Sequence, residues 1–137
     1  MTRIVPEADA LSAPFWAGCA DGVLRLARCS ECRAAAMPPD IVCPACGSLA
    51  PDYRYEVVSG TGRVRSWTRV HRSFLTGFAV PYTLVDVVLD DAPGVGLVAR
   101  LAGDDASGVR PGDRVETVFE EVAPGVALPM FRRIAGA

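Results

Sequence analysis

The chain has 137 residues, half of them hydrophobic, and a formal net charge of -2 at pH 7. An isoelectric point near 5.3 argues against a protein that gains affinity by releasing counterions along nucleic acid. Apart from the single His71 every basic residue is Arg, and the lack of any Lys excludes Schiff-base chemistry on a lysine.

In chain order, residues 1–12 read as a loose lead-in. No apolar run there or later approaches the roughly 20 residues of a membrane span. The start MTRIVPEADALSAPFW lacks the apolar stretch of a secretory signal, so a cytoplasmic protein is expected. SAPFWAGCADG predicts a short helix, with Ser12 at its N-cap, Pro14 in its first turn and Asp21-Gly22 ending it. Phe15 and Cys19 stand four apart and give it one apolar face. VLRLARC alternates and predicts a strand leading into the first cysteine pair.

Cys29 and Cys32, then ten residues, then Cys43 and Cys46 make two Cys-x-x-Cys knuckles. In a reducing compartment such pairs hold metal more often than they form disulfides. Two knuckles face to face form a tetrahedral tetrathiolate site, suited to zinc and open also to iron. Four protein thiolates leave no position for water or substrate, so one structural Zn2+ per chain is expected, a staple for a module too small to build its own core. Cys19 lacks a partner thiol or base nearby in sequence and reads as a buried small hydrophobe.

From Tyr53 onward the text is β-rich. Strands are predicted near 54–58, 62–72, 81–90, 95–101, 113–121 and 126–131, punctuated by SGTG, LTGF, DDAPG, GDDASG, VRPGD and APG. Short strands with glycines at the bends suit a small closed barrel of OB-fold size. The fold class is therefore mainly β, divided into a lead-in and helix over 1–24, a cysteine module over 25–52 and a barrel over 53–137.

Along GRVRSWTRVH, an unbroken strand turns Val64, Ser66, Thr68 and Val70 one way and Arg63, Arg65, Trp67, Arg69 and His71 the other. With Arg72, that row of cations around one aromatic could hold a phosphorylated adenine nucleotide or an acidic partner surface through Arg forks and stacking, or form an ordinary solvated face. Asp90-Asp91 and Asp104-Asp105 fall in turns, where Asp bonds locally, and Glu120 and Glu121 point to opposite faces, so no acid-base pair is expected.

The pattern resembles the zinc-ribbon and OB-fold proteins once labelled domain of unknown function thirty-five. The matching text is FWAG at 15–18, RCSEC at 28–32, PP at 38–39, CPACGS at 43–48 and SGTGRVRSWTRVHR at 59–72. It continues with PYTLVDVVLDD at 81–91, VRPGDRVETVFEEV at 109–122 and LPMFR at 128–132. The resemblance implies an N-terminal helix, a rubredoxin-like zinc ribbon and a C-terminal OB barrel. It also implies a noncatalytic subunit that binds a thiolase-like enzyme and supports acyl-CoA carbon-carbon chemistry, as in steroid side-chain or other lipid degradation, with Arg63, Arg65, Trp67, Arg69, His71 and Arg72 as candidate contacts to the partner or to coenzyme A shared with it. A hot-dog-fold acyl-CoA hydratase is the alternative partner. Phe15, Trp16, Pro129, Met130 and Phe131 are candidate docking anchors, with core packing as their other reading. Many relatives have Phe where Met37 stands, Arg where Asp40 stands and an aromatic where Arg65 stands, which leaves partner identity open. A single-stranded nucleic-acid binder is the reading from another class; it would need a positive groove with several stacking aromatics, against a negative net charge.

Overall fold

Among the described residues a short helix, α1 (Ala13–Ala20), stands at the head of eight strands. The computed structural model describes residues 4–103 and 108–134, so the predicted Asp104-Asp105 turn lies outside the described residues. Ser12 occupies the N-cap position of α1 but makes no capping bond of its own. Instead the Ser12 N–H donates to Asp9 Oδ1 at 2.8 Å and the Asp9 N–H donates to Ser12 Oγ at 3.1 Å. This reciprocal pair is a capping box shifted one turn upstream of the expected cap. Phe15 and Cys19 are buried, as the four-residue spacing predicts. Gly18 lets the helix pack closely against the chain at Val23: a Cβ there would meet the Val23 carbonyl oxygen at 2.9 Å.

The first sheet has the order β2 (Ala35–Ala36), β1 (Leu24–Arg28), β3 (Arg54–Val58). The sequence assigns 54–58 to the barrel, yet β3 pairs antiparallel with β1 along its whole length, from Leu24↔Val58 to Arg28↔Arg54. Periodicity identifies a strand without naming its neighbour, and here the neighbour lies in the cysteine module.

The second sheet is a closed barrel in the order β4 (Thr61–Val70), β5 (Tyr82–Leu89), β6 (Gly96–Leu101), β8 (Val126–Arg133), β7 (Arg114–Ala123). Its one parallel contact, β6 on β8, is short: Arg100↔Met130 and Leu101↔Phe131. Five strands closed in this way make an OB fold. Gly62 sits where β4 crosses β5, and a Cβ there would fall 2.4 Å from the Val88 carbonyl oxygen, a backbone atom that cannot step aside. Phe15, Cys19, Leu24, Leu26 and Val58 from the helix and first sheet join Val64, Val85, Val87, Leu89, Leu101, Val115 and Phe131 from the barrel in one continuous core. Among the described residues no helix is long and apolar enough to cross a membrane.

A polar clasp holds the start of the barrel. Arg114 on β7 donates from both terminal nitrogens to Asp90, each at 2.8 Å, and Thr61 on β4 donates its hydroxyl to the same carboxylate at 2.7 Å. The Arg114 hydrogen bonds first, and the Thr61 bond second, bring the Asp90 carboxyl down from the ordinary 3.8 to about 2. The unfolded chain therefore binds more protons than the folded one across the intervening range, and stability rises with pH there. Asp90→Asn is expected to be less stable than the parent above about pH 5, with the difference shrinking as pH falls through 4 towards about 2. Parallel thermal melts check this, since both proteins share every other acid-sensitive group; a difference that persists undiminished at low pH would contradict it.

Candidate functional site

The two knuckles are built alike. After Cys29-x-x-Cys32, the Arg33 N–H donates to the Cys29 carbonyl at 2.8 Å; after Cys43-x-x-Cys46, the Gly47 N–H donates to the Cys43 carbonyl at 2.9 Å. Each turn closes with a residue in the left-handed region, Gly47 at φ 76° and Arg33 at φ 68°. The four Sγ atoms lie within 4.8 Å of one another. Cys29 Sγ to Cys46 Sγ is 3.9 Å and Cys32 Sγ to Cys43 Sγ is 3.7 Å, against the roughly 3.8 Å edge of a tetrahedron with metal-sulfur bonds of about 2.3 Å. The backbone N–H of Cys46, aimed at the Cys43 sulfur, favours the thiolate there, while burial and the neighbouring cysteine side chains push the Cys46 thiol up, so without a cation the four sulfurs do not all ionise together. Cys29 and Cys43 are buried, while Cys32 and Cys46 face outward. The donor set fits one structural Zn2+, with all four positions taken by protein.

Arg33 is the unexpected member, because a left-handed conformation disfavours any residue with a Cβ. Its side chain explains its presence. Arg33 Nη2 lies 2.5 Å from Glu56 Oε1 and Arg28 Nε lies 2.8 Å from Glu56 Oε2, so the first knuckle is tied to β3 through one carboxylate. Arg33→Ala and Arg33→Gly both lose this tie, but only Ala keeps the backbone strain. Arg33→Ala is expected to be less stable than Arg33→Gly by about 1 kcal/mol, read from urea midpoints of the zinc-loaded proteins. Equal midpoints would mean that the backbone there is unstrained.

The segment around Trp67 departs from the expected row. The strand carries a register shift between Val64 and Ser66, so that Val64 faces Val87, Ser66 faces Asp86 and Trp67 faces Val85. The strand also ends at Val70, leaving His71 and Arg72 in the loop beyond it. Arg63 donates to the Gly112 carbonyl at 3.2 Å. Arg65 sits at the bulge and donates to Asp86 Oδ2 from Nε at 2.9 Å and from Nη2 at 2.5 Å. Beyond the bulge the faces exchange: Trp67 and Arg69 share a face with Val85 and Thr83, and Arg69 Nη1 donates to Thr83 Oγ1 at 2.9 Å. Arg72 lies over the Phe74 ring, 5.8 Å from its centroid. The expected single row of Arg63, Arg65, Trp67, Arg69 and His71 is thus divided by one extra residue, which turns later side chains to the opposite face.

Two of the five candidate anchors are core residues: Phe15 is 3% exposed and Phe131 is fully buried. Their apolar character serves packing, so they are not available as surface contacts. Trp16, Pro129 and Met130 line a cavity of about 350 Å3 together with Met37, Tyr82 and Leu84, and Phe15 forms part of its wall from the core side. The cavity therefore draws on the helix, the cysteine module and the barrel. Tyr82 and Leu84 were not singled out in the sequence; the signal that could have found them is an apolar residue at every outward position at the start of β5. Arg100, also lining the cavity, lies over the Tyr82 ring at 5.5 Å from its centroid. Cys19 is buried, and desolvation pushes its thiol up to about 11, which fits the small-hydrophobe reading.

Comparison with known proteins agrees with this architecture. Residues 16–52 match the family model of the ChsH2 rubredoxin-like zinc ribbon domain, and residues 55–120 match that of the ChsH2 C-terminal OB-fold domain. A solved chain from the Ltp2-ChsH2(DUF35) aldolase superposes with a TM-score of 0.80 at 28% identity, covering 93% of this chain and 98% of that one. A DUF35-family protein of unknown function from Sulfolobus solfataricus shares the fold, with a TM-score of 0.58 at 15% identity over 93% of this chain and 87% of that one. A probable enoyl-CoA hydratase alpha subunit of Thermomonospora curvata is 33% identical over 109 residues, covering 80% of this chain. The chain spans only 33% of the length of that relative. From a tetrathiolate ribbon, a closed five-stranded barrel and these matches in the same order, the chain belongs to the ChsH2-type zinc-ribbon and OB-fold family, DUF35.

Proposed function

We propose that this chain is a noncatalytic accessory subunit that binds a thiolase-superfamily enzyme and supports its acyl-CoA carbon-carbon bond chemistry, with a lipid or sterol side-chain thioester as the substrate class. The observation that carries the reading is the near-complete superposition on a chain of the Ltp2-ChsH2(DUF35) aldolase. The chemistry of the chain's own groups is consistent with it. The metal site is saturated by protein sulfur, and Cys19 is buried and held as a thiol. In this reading the partner provides the nucleophile or base, and the barrel and ribbon provide a rigid surface beside it.

A hot-dog-fold acyl-CoA hydratase is the second reading, favoured by the relative named as a probable enoyl-CoA hydratase alpha subunit. Affinity purification of the tagged chain from its native host at moderate salt, with mass spectrometry of the proteins that stay bound, separates the two. A thiolase-like protein recovered near one-to-one supports the first reading, and a hydratase supports the second. Recovery of nucleic acid, or turnover of an acyl-CoA by the isolated chain, would overturn both.

A further inference from the structure

Strand β4 is ordinary up to Val64 and then leaves the barrel wall. It pairs with β7 only at Thr61, Gly62 and Arg63, and Val64 makes the last bonds on that edge, to Asp113 and Gly112. From there to Val70 it is paired with β5 alone. Every residue from Arg65 to Arg69 is exposed, although a strand in a barrel wall buries alternate side chains. The loop joining the two strands continues this exposure, with Phe74 76% and Leu75 51% exposed and Val80 at the loop's far end exposed as well, as Trp67 is on the strand. The free edge of β4, on a β5 that stays paired with β6 from Leu84 onward, and the loop beyond it form an arm with four large apolar side chains exposed. Apolar side chains exposed together on one segment mark an interaction surface.

The charge on the arm says what meets it. All 16 carboxylates of the chain lie outside residues 57–85, while that stretch contains Arg63, Arg65, Arg69, Arg72 and His71. A basic arm on a chain of net charge -2 complements an acidic surface. The guanidinium groups do not converge on one small anion: the bulge places Arg65 and Arg69 on opposite faces, one on Asp86 and the other on Thr83. Base stacking is also poorly served, since Arg72 already lies over the Phe74 ring, the other large apolar side chains of the loop, Leu75 and Val80, are aliphatic, and Trp67 is the one further large aromatic exposed on the arm. Ser73 Oγ lies 2.9 Å from the Leu75 carbonyl and 3.1 Å from that of Phe78, a turn that holds Phe74 and Leu75 at the tip before any partner arrives.

We propose that the β4–β5 arm, residues 65–82, is the docking element for an acidic protein surface with an apolar recess that receives Phe74 and Leu75. The inference deepens the accessory-subunit reading and rests on it only for the identity of the partner. The test is photo-crosslinking in the native host with the full-length chain carrying p-benzoylphenylalanine in place of Phe74, and separately in place of Leu49, an exposed ribbon residue. The crosslinked protein is then purified and titrated with the unmodified chain and with Phe74→Ala, Arg72→Glu and Leu49→Ala. Circular dichroism and zinc content verify that each variant folds.

The expected result is a crosslink from position 74 and none from position 49, on a peptide rich in Asp and Glu. Phe74→Ala should weaken binding about 30-fold, as for a central anchor, and Arg72→Glu should weaken it and flatten its salt dependence. Leu49→Ala should bind like the parent. Crosslinking only to a second copy of the chain, only to nucleic acid or to nothing would overturn the proposal, as would parent-like affinity of Phe74→Ala and Arg72→Glu. If the crosslinked protein is neither a thiolase-superfamily enzyme nor a hydratase, the accessory reading fails and the arm stands. If the enzyme copurifies without a crosslink from position 74, the arm fails and the accessory reading stands.

Discussion

Cys29→Ser is expected to abolish tight zinc binding and unfold the helix, the ribbon and much of the barrel together. Zinc on a ribbon of this kind contributes about 10 to 16 kcal/mol of apparent binding free energy at neutral pH, whereas a domain of this size has a net stability of about 5 to 15 kcal/mol. Losing even part of the first quantity removes the second. The effect should spread because Cys29 directly follows β1, whose Leu24 and Leu26 are buried in the same core as Val85, Val115 and Phe131. With Cys29 replaced, the first knuckle loses a buried ligand and β1 loses its fixed end. The measurement is metal content with thermal melting: one zinc per parent chain, none on the variant, and no cooperative transition where the parent melts. A metal-free variant that melts like the parent would show the barrel to be self-sufficient and the ribbon an appendage.

The parts of this molecule that were legible in the sequence are those specified locally. Two knuckles ten residues apart determine a donor set whatever surrounds them, and the four sulfurs meet at the spacing a tetrahedral metal requires. Alternation in YTLVDVVL likewise predicts β5, because one face of that strand enters the core at every second residue. The features that were not legible depend on neighbours. The partner of Arg54–Val58 is set by which sheet has a free edge, and nothing in RYEVV distinguishes a ribbon strand from a barrel strand. The bulge at Arg65 leaves no mark in composition, since an arginine there suits an unbroken strand equally well, yet it decides which side chains beyond it share a face. The two readings of the candidate anchors could not be separated for a related reason: FW and PMF are equally apolar in a core and at an interface, and only the folded chain buries Phe15 and Phe131 while leaving Trp16, Pro129 and Met130 to line a cavity.

Phe131→Ala is the core substitution expected to cost most, about 3 to 5 kcal/mol, because the residue is fully buried and sits at the closure of the barrel. Every other pair of adjacent strands in the barrel is antiparallel, while β6 and β8 meet in parallel over two residue pairs only, one of them Leu101↔Phe131. The Ala102 N–H donates to the Phe131 carbonyl at 2.7 Å, so the residue binds the seam with its backbone and fills the space behind it with its ring. A truncated side chain leaves a void where few hydrogen bonds hold the strands together, and little nearby structure can collapse to fill it. Phe131→Leu keeps most of the volume and should cost only about 1 kcal/mol. Urea unfolding of the zinc-loaded proteins measures both. Because α1 packs on β8 and shares this core, the loss should appear in one cooperative transition reported equally by Trp16 fluorescence, read in a Trp67→Phe background, and far-ultraviolet circular dichroism. A cost below about 1 kcal/mol for Phe131→Ala, or a barrel transition that separates from that of the helix, would mean that the seam is closed by something other than this ring.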